Sequence, residues 1–275
     1  MKIAAVQMLS TPRVADNLAR AAALIAEAAA TGAELVALPE YFCLMGERDT
    51  DKLAHAEAPG DGPIQAMLAA SARANGVWLV GGTLPLRVDG RTERAHNASL
   101  VFAPDGTLAA RYDKIHLFRF DDGERRYDEA ATLDAGSKPV ALTLHDRSGG
   151  AWRVGLSICY DLRFPELYRA LAEPPCDLLL VPSAFTYPTG QAHWELLLRA
   201  RAVENQCFVL APAQGGRHEN GRRTWGHTMA VGPWGEVLAV READGEGVVL
   251  AELDAGRIAQ VRAQLPALSH RVLPH

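Results

Sequence analysis

Gly155-Leu-Ser-Ile-Cys-Tyr-Asp-Leu-Arg-Phe-Pro-Glu166 is a short apolar run that stops at Cys159, with a helical pattern beginning just after it. The pattern predicts a strand, a turn and a helix. A cysteine at such a junction carries its sulfur to the mouth of a sheet. There the amides of the turn and helix have no intrahelical acceptor, and with the helix dipole they favour a thiolate. Burial as an inert thiol is the commoner fate of an isolated cysteine. The reading therefore turns on whether the rest of the chain supplies this sulfur with a base and a positive group.

Outward from this stretch, the second half reads as strand 154–158, helix 165–171, strand 177–181, helix 192–205 and strand 207–211. The first half has the same order. Residues 3–8 form a β-branched apolar run. Residues 16–30 carry Leu18, Ala22, Ile25 and Ala29 at helical spacing before Gly32. A strand at 34–39, a helix at 63–75 closed by Gly76 and a strand at 77–80 follow, and strands 99–102 and 108–112 flank the hairpin signal Ala103-Pro-Asp-Gly106. Leu38-Pro39 closes one strand as Val181-Pro182 closes another, and the Pro-Asp-Gly hairpin has a partner in the Gly232-Pro-Trp-Gly235 segment. The expected fold is α/β: a four-layer α-β-β-α sandwich of two pseudo-equivalent halves, one domain over residues 1–275 with 257–275 as a C-terminal tail. A single doubly wound sheet is the alternative.

A chain of 275 residues that is 48% hydrophobic can bury a sizeable core without staples. A net charge of −5 and the absence of long Lys/Arg runs give no reason to expect nucleic acid or an anionic membrane as partner. Cys43, Cys159, Cys176 and Cys207 lie far apart with neither disulfide-scaffold nor metal-ligand spacing, and read as free thiols in a reducing compartment. Gln7 interrupts the N-terminal apolar run after four residues, too early for a signal-peptide core, and no run reaches membrane-spanning length. A cytoplasmic location is expected.

Three segments fall outside the repeat. Residues 117–137 make a charged loop long enough to cover a site. Residues 215–223 make a glycine-rich basic loop that reads as a solvated hairpin tip rather than a phosphate cradle, because it opens no helix. Residues 257–265 form a short amphipathic helix before Pro266 and the tail, suited to docking on the body of the chain or on a partner subunit.

A thiol nucleophile in acyl transfer needs a proton acceptor and a positive group where the oxyanion forms. Two residues stand at strand ends in the manner of Cys159. Glu40 follows strand 34–39, where burial beside Tyr41 and Phe42 suits it to general-base work, and Lys114, one of only four lysines among 28 basic residues, follows strand 108–112. Taken singly, each reads as a solvated surface charge; together they form a constellation.

Leu-Pro-Glu40-Tyr-Phe, Tyr-Asp-Lys114-Ile-His-Leu-Phe and Ser-Ile-Cys159-Tyr-Asp-Leu-Arg-Phe-Pro-Glu resemble, in order and separation, the three catalytic motifs of the nitrilase superfamily of carbon–nitrogen hydrolases. Pro182-Ser-Ala-Phe185, the stretch 192–206 and Gly226-His-Thr-Met-Ala-Val-Gly-Pro-Trp-Gly235 extend the resemblance over nearly the whole chain. It implies the α-β-β-α sandwich, a homodimer or higher homo-oligomer, a small-molecule amide substrate, and no metal or organic cofactor. It also implies that Cys159 attacks, that Glu40 takes and returns protons, and that Lys114 with the backbone N–H of Tyr160 stabilises the tetrahedral intermediate. Glu129, in Tyr127-Asp-Glu-Ala-Ala-Thr-Leu, matches a second glutamate of the family. Asp161 and Arg163 are expected to pair behind Cys159. Arg126, His193, Trp194, Ser183 and Phe185 are candidates for substrate contact, and Arg199 and Arg201 for ion pairs on a helix face.

The resemblance is closest to deaminated glutathione amidases and ω-amidases, which implies hydrolysis of an α-keto acid amide through a thioester with release of ammonia. A nitrilase, an N-carbamoyl amidohydrolase or a catalytically silent binding protein of the same fold are the alternatives. Carboxylated substrates call for guanidinium groups, and Arg119, Arg125, Arg126, Arg217, Arg222 and Arg223 are the candidates.

Overall fold

The computed structural model describes residues 1–121, 123 and 126–273. In one sheet Lys2–Gln7, Leu35–Ala37 and Trp78–Val80 run parallel, and Arg91–Phe102 continues the sheet antiparallel, itself paired with Leu84–Val88 and Leu108–Asp113. In the other, Ala151–Leu156, Leu178–Leu180 and Phe208–Ala211 run parallel, with antiparallel Val140–His145 at one edge and Thr228–Val231 and Val237–Arg241 at the other. Three parallel strands flanked by antiparallel neighbours thus occur twice, as the internal repeat predicts.

The two halves of the chain do not each keep to their own sheet. Gly247–Glu252, late in the chain, pairs antiparallel with Lys2–Gln7 and so closes the edge of the first sheet. Its burial alternates weakly, which explains why the sequence pattern does not reveal it.

Side-chain alternation builds the layers. Ile3 and Ala5 face a core shared with Val154, Leu156, Leu178 and Leu180 of the second sheet. Ala4 and Val6 face the opposite way, toward Leu24 and Ile25 of helix Val14–Ala30 and Leu68 of helix Pro63–Asn75. Beyond the second sheet, Leu171 of helix Pro165–Leu171 and Trp194, Leu198 and Ala202 of helix Tyr187–Asn205 complete the order helix, sheet, sheet, helix. Among the described residues no helix is long and apolar enough to cross a membrane.

Local chemistry sets the helix ends. Pro63 opens its helix, where a missing N–H costs nothing, and Gly76 at φ +60° ends it. The Glu57 carboxylate accepts the N–H groups of Ile64 and Gln65 there. Helix Tyr187–Asn205 begins five residues before the expected start at 192. Pro188 and Gly190 mask it in the sequence, yet Pro188 lies in the first turn, and a Cβ at Gly190 would fall 2.2 Å from Trp225 Cβ, so only glycine fits.

The tail docks on the body of its own chain. Ile258 and Val261 of helix Ala255–Gln264 are buried, Arg262 donates to the Cys176 carbonyl at 2.6 Å, and Arg271 lies 3.3 Å from Glu173.

Because Leu156 is fully enclosed between the sheets whereas half of Leu108 is in water, the two leucines should respond differently to truncation. Leu156→Ala is expected to cost about 2–5 kcal/mol and Leu108→Ala within about 0.5 kcal/mol, measured as shifts of the urea midpoint at constant slope. Equal costs would contradict the sandwich core.

Candidate active site

Glu40 lies three residues beyond Leu35–Ala37, Lys114 directly follows Leu108–Asp113, and Cys159 lies three residues beyond Ala151–Leu156. The carboxyl ends of strands from both sheets therefore meet. Backbone bonds continue each strand for a step: Leu38 N–H to the Val80 carbonyl, Lys114 N–H to Asn97, and Cys159 N–H to Pro182. Cys159 has φ +48° and Tyr41 φ +56°. Non-glycine residues in the left-handed region are uncommon and concentrate at functional sites.

The side chains form one buried cluster. Lys114 Nζ is 2.8 Å from Glu40 Oε1, 2.8 Å from Glu129 Oε2 and 3.1 Å from Glu129 Oε1. Glu40 also accepts from Asn97 Nδ2 at 3.0 Å on Oε1 and from the Ala184 N–H at 3.0 Å on Oε2. Glu129, at the start of the 3-10 helix Glu129–Ala131, accepts the Tyr41 hydroxyl at 2.6 Å and the Phe118 N–H at 2.7 Å. Both carboxylates are thus oriented before any substrate arrives.

Electrostatics decide the protonation states. Burial works against the Lys114 charge, but Glu129 and Glu40 outweigh it and hold the ammonium well above the usual lysine range. Burial likewise opposes the Glu129 charge, and Lys114, Phe118 N–H and Tyr41 hydroxyl outweigh it and hold the carboxylate below the usual range. The thiol behaves differently. Burial raises the Cys159 pKa well above its ordinary value, the Glu40 charge adds to this, and Lys114 only partly opposes it. The thiolate expected at this strand end is therefore not the resting form. With two carboxylates and one ammonium already enclosed, a further anion is disfavoured, and the proton must leave as the sulfur attacks.

Asp161 and Arg163 do not pair. Asp161 is fully buried and accepts from the Tyr112 hydroxyl at 2.7 Å, the Ile158 N–H at 2.8 Å, and the His116 N–H and Nδ1 at 3.0 and 2.7 Å. It locks the 3-10 helix Cys159–Arg163 onto the strand that delivers Lys114. The Tyr160 amide lies in the first turn of that helix, where N–H groups lack intrahelical acceptors. Arg163 instead turns into the cleft, its guanidinium 5.5 Å from the Phe185 ring centre and Nη1 3.3 Å from His193 Nδ1.

The cleft over Cys159 measures about 380 Å³ and is walled by Tyr41, Phe118, Tyr160, Phe185, Thr186, Thr189, Arg163 and Arg222 around the charged cluster. Phe185 is where the sequence puts it. Ser183 is fully buried with its hydroxyl on the Val181 carbonyl, and its neighbour Ala184 makes the contact with Glu40. His193 and Trp194 lie inside helix Tyr187–Asn205. Trp194 is buried against Phe185 with Nε1 on the His227 carbonyl, and His193 contacts Arg163. Arg126 is exposed on a short ribbon, 3.8 Å from Asp128, away from the cleft.

Of the other candidate arginines, Arg125 lies outside the described residues. Arg119 is exposed beside Asp128, and Arg223 packs over Tyr187, while Arg222 enters the cleft. The basic loop is accordingly more than a solvated tip. Arg201 is also more than a surface ion pair, since it is buried and donates to the Leu162 carbonyl behind the site.

Asn97, Tyr41, Phe118, Thr186 and Thr189 escape sequence reasoning. Only Asn97 carries a signal, a polar residue at the start of the buried half of its strand. Among the described residues no three or more His, Cys, Asp or Glu side chains are grouped to hold a metal ion.

Comparison with known proteins agrees with this geometry. The carbon-nitrogen hydrolase family model matches residues 2–263. The chain is 45% identical to the deaminated glutathione amidase of Synechocystis over 98% of this chain and 97% of that protein. It is 39% identical to omega-amidase NIT2-A of Xenopus laevis over 98% of this chain and 94% of that one. The crystal structure of Nit3 from Saccharomyces cerevisiae, a member of branch 10 of the nitrilase superfamily, superposes with a TM-score of 0.83 at 33% identity, covering 97% of this chain and 94% of that one. The chain belongs to the carbon–nitrogen hydrolase family, within the nitrilase superfamily.

Proposed function

We propose that this carbon–nitrogen hydrolase is a thiol-dependent amidase that cleaves an α-keto acid amide, deaminated glutathione first and α-ketoglutaramate second. One observation carries the chemistry: a buried cysteine at a strand end stands beside a fully held carboxylate, and a buried ammonium bridges that carboxylate to another. Glu40 takes the thiol proton as Sγ bonds to the amide carbon. Negative charge gathers on the carbonyl oxygen, where Lys114 and the Tyr160 N–H are the available positive groups. As the C–N bond breaks, the proton on Glu40 passes to the leaving nitrogen and a thioester remains. Water, its proton drawn to Glu40, then attacks the thioester, and the thiol is restored. Glu129 keeps Lys114 charged and aimed throughout.

The substrate class rests on the relatives' names and on the cleft arginine Arg163, which suits a carboxylated acyl group. For α-ketoglutaramate the leaving group is ammonia. For deaminated glutathione cut at its γ-linked amide it is the cysteinylglycine amine, so ammonia release belongs to the primary amide alone. Leu196 and Val203 on helix Tyr187–Asn205 and nearby Trp234 are exposed apolar groups that support the further proposal of a homodimer.

Cys159→Ala is expected to lose amidase turnover while keeping its circular dichroism spectrum, and Cys159→Ser to lose most of it. Turnover by the alanine variant above a few per cent of wild type would remove Cys159 from the mechanism. Lys114→Arg should be almost as inactive as Lys114→Ala, because the wider planar guanidinium does not fit the space of one ammonium between two carboxylates. Near-normal kcat in the arginine variant would show that the compact charge is not required. Light scattering at micromolar concentration should give about twice the 29.6 kDa of the chain, and a monomer mass would overturn the dimer.

A further inference from the structure

Beyond the catalytic cleft lies a second, open recess, and the two share Tyr41 and Arg222 as a common wall. Arg48, Asp49 and Lys52 line the far side. Lys52 comes from the short helix Asp51–Ala54 and is only partly exposed, with Nζ 5.5 Å above the Tyr41 ring. Arg222 lies 5.0 Å over the Tyr127 ring.

The cations of the recess differ in what neutralises them. Arg48 is held by Asp51 at 3.1 Å. Among the described residues neither Lys52 nor Arg222 has a carboxylate in ion-pair contact. Lys52 feels Glu129 and Asp49 only at a distance, and burial, the larger effect, lowers its pKa. Partly buried cations without a partner are unfavourable unless something anionic joins them. An ordinary surface lysine would extend its ammonium into water, and this one lies over a ring at the edge of the site.

The direction of the reaction supplies the occupant. Glu40 returns its proton to the leaving nitrogen, and Tyr41, the next residue, turns through the left-handed region to wall both spaces. The recess therefore adjoins the cleft at the residue that follows Glu40. Cysteinylglycine carries a carboxylate several bonds beyond the scissile nitrogen, long enough to enter it, and ammonia carries none. Arg163 lines the catalytic cleft but not the recess, and is left for the carboxylate of the acyl group.

We infer that the recess walled by Tyr41 and Arg222 is a leaving-group subsite in which Lys52 and Arg222 bind a terminal carboxylate, so that extended peptide-like amides are preferred over short primary amides. This inference rests on the amide hydrolysis proposed above.

The test compares kcat/KM for deaminated glutathione and α-ketoglutaramate in wild type, Lys52→Met and Arg222→Met. Methionine keeps the apolar stem and removes the charge. The ratio of the two kcat/KM values, long substrate over short, is expected to fall about ten-fold or more in each variant, chiefly through KM of the long substrate. A ratio unchanged in both variants, or equal losses on both substrates, overturns the subsite while leaving the amidase reading intact. Hydrolysis of neither substrate by wild type overturns the amidase reading and this inference with it.

Discussion

The Lys114 ammonium is almost completely buried, with 1% of its side chain exposed, and two carboxylates within 3 Å are what make that position tenable. An isolated ammonium at that depth would lose its proton, and an isolated carboxylate would gain one. Together they compensate one another, and each carboxylate is held further by neutral donors: Asn97 and Ala184 on Glu40, Tyr41 and Phe118 on Glu129. Removing one partner of such a set leaves an uncompensated buried charge, a cost of about 3–5 kcal/mol. The cluster is therefore rigid, and it carries one net negative charge. Burial, with the Glu40 charge added to it, raises the pKa of the neighbouring thiol, and Glu40 is the carboxylate placed to receive its proton.

The sandwich explains how residues 74 and 45 positions apart in sequence, Glu40 to Lys114 and Lys114 to Cys159, reach one point. Strands of both sheets end there, and a strand end is the one part of a sheet where a side chain leaves the layer while the backbone behind it stays in register. Asp161 ties the two sheets together at this edge, taking hydrogen bonds from Tyr112 and His116 on one side and Ile158 on the other. The antiparallel pairing of Gly247–Glu252 with Lys2–Gln7 links the chain ends to the same sheet.

Much of this was legible in the sequence, because apolar periodicity and strand-end residues are local signals. The runs around 34–39, 154–158 and 177–181 locate the central strands, and Glu40, Lys114, Cys159 and Glu129 converge as the motifs imply. What was not legible depends on long-range geometry. Asp161 and Arg163 stand two apart and invite pairing, yet the left-handed turn at Cys159 sends one inward to Tyr112 and the other into the cleft. Pro188 and Gly190 look like a loop until Trp225 is seen packed against the glycine. The raised thiol pKa is not legible at a strand end, which alone predicts donors; only the assembled site shows how deeply Cys159 is buried and that Glu40 stands beside it.

The most direct test of this account is the pH dependence of iodoacetamide alkylation at Cys159, followed by peptide mass spectrometry from pH 6 to pH 9 in wild type and Glu40→Gln. A raised thiol pKa means that little free thiolate exists across this range, so reaction depends on transfer of the proton to Glu40. The account predicts a nearly flat rate in wild type and, in Glu40→Gln, a slower rate at neutral pH that climbs as the thiol ionises unaided. A wild-type rate that titrates with a midpoint at or below neutrality, well under the roughly 8.5 of a free thiol, and that survives Glu40→Gln unchanged, would mean a preformed thiolate and would contradict it.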